Sequence, residues 1–181
     1  MILFIDTHAD LITIALKNNK DLYIKTQESE YSHSIYTMSM IKEIFNENKL
    51  DIHDLKKIIV VNGPGSFTGI RIGLSIAKTL AYALKININT ISSLTAYLIS
   101  SDFKGNKKAV IEDNKGYYIS VFNENNESLI DEFYSEEDSL EYFEVEHKID
   151  VNKVIDYCNN IESENPHHIK ANYIKKIEVE K

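Results

Sequence analysis

The segment NGPGSFTGIRIG, Asn62 to Gly73, gathers four of the chain's six glycines and one of its two prolines into twelve residues. A glycine-rich turn opening a helix is a natural anion site, because bare backbone N–H groups and the helix N-terminus both favour negative charge. Spacing decides which version of that chemistry is present. The P-loop pattern fails: five residues after Gly63 and Gly65 stand Thr68 and Ile70, and the segment contains no Gly-Lys pair. Gly63, Gly65 and Gly69 come closer to a dinucleotide fingerprint. That fold wants an acidic residue at the end of the next strand, yet no Asp or Glu lies between Leu55 and Ser101. The nucleophile elbow is missed by one place, since Ser66 directly follows Gly65. What remains is a turn at Gly63-Pro64-Gly65, a helix cap from Ser66 or Thr68, and Arg71, which suits either an anion or a partner carboxylate.

The other reactive side chains are scattered. A helical metal pair needs two histidines four apart, but His33 is followed at that spacing by Thr37. His53 and His147 stand alone, and His167-His168 are adjacent after Pro166. No metal site is expected. Asp6 and Asp113 end apolar strand patterns, and Thr7-His8-Ala9-Asp10 lacks the glycine that lets a backbone approach phosphate, so both aspartates are read as structural. Cys158, the single cysteine, sits in the apolar pattern VIDYC and reads as a packing residue.

The elements that would position these residues follow from periodicity. ILFID, LITIAL and LYIKT are strand patterns forming a meander, and Ile35, Met38, Ile41 and Phe45 recur at helical spacing with Ser32 or Ser34 as cap. KIIVVN is a buried strand, the glycine-rich segment opens a second helix, ININTIS is a strand and SLTAYLISS a short helix. The order β-β-β-α-β-α-β-α is α/β, the ribonuclease H-like order with a mixed sheet. After SDFKGNKK three more strands follow (AVIED, YYISVFN, SLIDEFY), then EEDSLEYFEVE as a possible helix and VNKVIDYCNNI as a helix. This reads as a shortened second copy, giving domains at residues 1–101 and 102–181.

In the second helix, Gly69, Gly73, Ala77 and Ala81 are spaced by four, a small-residue stripe that admits another backbone closely. Each helical glycine costs about 1 kcal/mol against alanine, so close packing must offset it. Ile72, Ile76, Thr79 and Ala83 add apolar or small surface on other sides, so two sides of the helix need cover and a partner is expected on one of them. A homodimer through the same helices is expected when no other partner is present.

Composition limits the partners. The net charge is -8, and the first hundred residues carry ten Lys+Arg against nine Asp+Glu while the remainder carries ten against nineteen. Such an acidic surface disfavours direct nucleic-acid binding. The opening MILFIDT has no basic leader segment and no apolar run approaches a membrane span, so a cytosolic location is expected.

Asn62 to Gly73 closely resembles the G-P-G-S-F-T-G-x-R-x-G signature of the bacterial TsaB (YeaZ) proteins. The likeness continues in ILFIDT, His33-Ser34, the IEDN/GYYISVF strand pair and Tyr173-Ile174-Lys175. It covers the first domain well and the second in patches. Ser39 stands where the family usually has proline, Lys115 where it has arginine, and the second half is shorter. The resemblance implies a non-catalytic member of the actin-like superfamily that works in making threonylcarbamoyladenosine at position 37 of tRNA. It implies pairing with the transferase TsaD through a bundle of the first two helices of each subunit, with the ATPase TsaE joining and tRNA met only through the complex. The implied interface is Ile35, Met38, Ile41, Phe45, Gly69, Ile72, Gly73, Ile76, Ala77 and Leu80. No cofactor is implied for this chain, ATP belonging to a partner or the junction. The alternative is a small hydrolase or a nucleotide-binding enzyme using the glycine turn.

Overall fold

β-branched runs too short for helices make the first sheet. The computed structural model describes residues 1–28 and 33–175, and in it strands β1 (Ile2–Asp6), β2 (Leu11–Asn18), β3 (Asp21–Glu28), β4 (Lys57–Val61) and β5 (Asn87–Ile91) lie in the order β3-β2-β1-β4-β5. β1 to β3 are antiparallel; β4 and β5 are parallel to β1, with Leu3 opposite both Leu16 and Ile58. This is the ribonuclease H-like arrangement expected from the element order.

Alternation along these strands splits the core in two. Leu3, Ile5, Ile58 and Val60 face helices α1 (His33–Glu47) and α2 (Phe67–Leu84), while Phe4, Ile59 and Val61 face the opposite side. On that opposite side sit α3 (Ser93–Ser100) and α4 (Val151–Asn159), the latter supplying Val151, Val154, Ile155 and Cys158. α3 also packs Leu94, Tyr97 and Leu98 against Ala109 and Phe122 of the second sheet, which explains why its residues are buried nearly all round.

The second sheet has the order β8-β7-β6-β9, from β6 (Lys107–Asp113), β7 (Gly116–Phe122), β8 (Ser128–Ser135) and β9 (Phe143–Glu144). β9 lies parallel to β6 as β4 does to β1, so the second copy stops after four strands. EEDSLEYFEVE, expected as a helix, is irregular chain ending in β9. Its apolar Phe143 stacks on Phe103 and Val145 enters the core, so strand alternation prevails over helical spacing.

The boundary expected at 101/102 separates the sheets but not the packing. α4 covers the first sheet, and residues 161–175 run back over it: Ile169 is buried in the first core, Glu164 bridges to Ile88, and Asn172 N–H donates to the Asn62 carbonyl at 2.8 Å. No helix among the described residues is long and apolar enough to cross a membrane.

Candidate functional site

The chain leaves β4 through Asn62 and turns at Gly63, whose φ of 104° suits glycine alone, with a cis peptide to Pro64. The turn is satisfied from within. Ser93 N–H donates to the Gly63 carbonyl at 2.9 Å and its hydroxyl to the Pro64 carbonyl, while Ser66 N–H donates to the His8 carbonyl at 2.7 Å. Ser66 caps α2 by accepting from Gly69 N–H at 3.2 Å, whereas Thr68 lies inside the helix. Two of these bonds engage turn carbonyls, while those from Ser66 and Gly69 occupy N–H groups that an anion would otherwise meet.

The small-residue stripe also serves the chain itself. A Cβ on Gly69 would strike the Thr7 carbonyl, and one on Gly73 would strike the Thr7 hydroxyl, which already donates to the Gly69 carbonyl at 2.7 Å. The close approach is to the end of β1, not to another chain. With Gly69, Gly73 and Ala77 buried against the sheet, and Ile41 and Phe45 buried beneath α1, these five members of the expected interface belong to the core. The inner stripe of α1 starts at His33 and Thr37, polar positions that an apolar count passes over. Thr37 donates to the His33 carbonyl and His33 Nε2 donates to the Ala9 carbonyl, so both are satisfied inside. Ser34 lies within α1 and does not cap it; Ser32 falls outside the described residues.

Of the other five candidates, Ile76 and Leu80 pack partly against the first core, while Ile35, Met38 and Ile72 lie outward. Ile35 is 70% exposed and Met38 46% exposed; Ile72, Ile76 and Leu80 are half-buried. With Ser34, Thr68, Ser75, Arg71 and Phe67, a residue the sequence reading passed over, Met38, Ile72 and Ile76 line a groove of about 490 Å³ between α1 and α2. Phe67 is 56% exposed in the first turn of α2, and its type at that position was the available signal. The Arg71 guanidinium lies 3.6 Å over the Phe67 ring and donates to the Tyr173 hydroxyl at 3.1 Å.

Asp6 is closed off. It accepts from His8 N–H at 3.1 Å and from His8 Nδ1 at 2.5 Å, His8 Nε2 shares a hydrogen bond with the Tyr97 hydroxyl at 2.7 Å, and all three side chains are buried. Tyr97 stacks on His147, and its hydroxyl is held well above the usual phenol value, chiefly by burial and then by Asp6. Asp113, at the matching place in the second sheet, accepts from Lys175 at 2.9 Å. That bond holds its carboxyl below the ordinary range; Lys175 is raised in turn, first by its bond to the Tyr134 hydroxyl and then by Asp113. Burial pushes the Cys158 thiol up to about 12, as befits a packing residue. Among the described residues no three His, Cys, Asp or Glu side chains converge to hold a metal.

The profile of the family TsaD, tRNA N6-adenosine threonylcarbamoyltransferase, matches residues 24–114. The chain is 30% identical over 184 residues to the tRNA threonylcarbamoyladenosine biosynthesis protein TsaB of Buchnera aphidicola from Acyrthosiphon pisum, covering 96% of this chain and 82% of that protein. The Bacillus subtilis protein of the same name is 41% identical over 99 residues, covering 51% of this chain and 41% of its own. YeaZ from Pseudomonas aeruginosa has the same fold, with a TM-score of 0.69 at 19% identity over 80% of this chain and 74% of that one. A Pseudomonas aeruginosa protein described as similar to peptidase YeaZ superposes with a TM-score of 0.83 at 14% identity over 96% and 99%.

Proposed function

Because the chain belongs to the TsaB family of tRNA threonylcarbamoyladenosine biosynthesis proteins, we propose that it is the non-catalytic subunit of the complex that adds threonylcarbamoyl to adenosine 37 of tRNA. In this reading it pairs with the transferase TsaD, the ATPase TsaE joins the pair, and tRNA is met only through the assembly, in the cytoplasm. The observation that carries the reading is the outward groove of α1 and α2. A monomer rarely leaves Ile35, Met38 and Phe67 this open on two adjacent helices unless another protein covers them.

The groups a superfamily enzyme would use support the same view. Asp6 is tied to His8 behind Tyr97, and the glycine turn is bonded to Ser93 and His8. Buried in this way, Asp6 is closed to a substrate. The acidic surface of the second unit disfavours a direct tRNA site on electrostatic grounds, and no cofactor is assigned to this chain, ATP being left to the partner subunits. The test is a reconstituted reaction with tRNA, the threonylcarbamoyl donor, TsaD and TsaE. Modification is expected to require this chain in addition to the transferase. Turnover by this chain alone, or full activity without it, would overturn the assignment.

A further inference from the structure

Among the described residues lining the groove, Arg71 alone is charged. Its guanidinium is already oriented, lying over Phe67 and donating Nε–H to Tyr173. Neither terminal amino group meets an acceptor among the described residues. A planar fork fixed in this way loses little freedom on receiving a carboxylate through two parallel hydrogen bonds.

From the same two helices a second copy of the chain offers only Glu43 and Glu47. α2 contains no Asp or Glu at all. The two on α1, Glu43 and Glu47, are both bound to Lys25, at 3.2 and 2.7 Å. An isologous contact would present one Arg71-bearing face to another and bring two like charges together. Removing a cation from water without a partner is costly, and like charges brought together add to that cost.

We infer that Arg71 is the specificity residue of the pairing face: it receives an Asp or Glu side chain from a partner helix and disfavours self-association of this chain. The inference rests on the proposed pairing with the transferase and names the chemistry of that partner's surface. Phe67 and Tyr173 are positioning residues that hold the guanidinium ready.

The experiment compares wild type, Arg71→Gln and Ile72→Arg by titration calorimetry against TsaD at two salt concentrations, and by light scattering alone. Arg71→Gln is expected to weaken heterodimer formation by about five- to tenfold, in line with one charge-assisted contact, and to flatten its salt dependence. Its self-association should stay level or increase. If Ile72→Arg abolishes pairing while Arg71→Gln binds as wild type does, the groove is the interface and the carboxylate inference is wrong. If Arg71→Gln weakens homodimer and heterodimer alike, Arg71 is ordinary contact area and the selectivity falls. If wild type fails to bind TsaD, the pairing reading and this inference fall together.

Discussion

Thr7 shows how a single contact can decide what a glycine is for. Gly69 and Gly73 each give up about 1 kcal/mol of helix propensity, and what they gain is the end of β1 lying directly against α2. Gly69→Ala should therefore destabilise the chain by about 1–3 kcal/mol, because the alanine Cβ meets a backbone carbonyl that cannot rotate away and the propensity gain is smaller. Chemical denaturation measures this; a stabilised variant would mean that β1 shifts freely. Asp113 and Lys175 give a pH-dependent effect. Asp113 has a lowered folded value, so its contribution is present above the ordinary 3.8 and disappears as pH falls through the lowered value. Lys175 has a raised folded value, so its share is present below the ordinary 10.5 and disappears only as pH rises through the raised one. Across neutral pH Asp113→Asn should thus have a lower denaturant midpoint than wild type, with the two converging below about pH 4. A gap that persists into acid would mean that the pair is not what the substitution removes.

The elements with strong local signals were readable from the residues. KIIVV, too short and too β-branched for a helix, is β4, and Ser66 caps α2 as its position suggests. α1 reads as a helix, but its apolar row divides between two faces, with Ile41 and Phe45 buried and Ile35 and Met38 exposed, because His33 and Thr37 head the buried stripe and only tertiary contacts satisfy them. β9 was not readable, since two paired residues leave no periodic trace. The same distinction of faces fixes which substitutions test pairing. Ile72→Arg, on the outward side of α2, should leave the far-UV circular dichroism and melting temperature close to wild type and remove binding to TsaD. Ala77→Arg, fully buried, should instead unfold the chain. Undiminished binding by Ile72→Arg would move the interface off this groove.

On the scale of the molecule, the two sheets are joined by more than the segment between them. α4 returns to cover the first sheet, and residues 169–175 connect both units: Asn62 and Arg71 on one side, Glu132 and Asp113 on the other. None of this is visible in a sequence, because it depends on contacts between residues more than a hundred positions apart. A fragment of residues 1–101 should accordingly lack a fixed core, giving weak near-UV circular dichroism and broad unfolding; a sharp cooperative transition would make the first unit self-sufficient. The central claim is that the whole chain acts by pairing through α1 and α2. Light scattering after size-exclusion chromatography, on this chain alone and mixed with TsaD from the same organism, tests it most directly. A 1:1 heterodimer is expected, one that replaces any homodimer and is lost in Ile72→Arg. A chain that elutes unchanged in the presence of TsaD would contradict it.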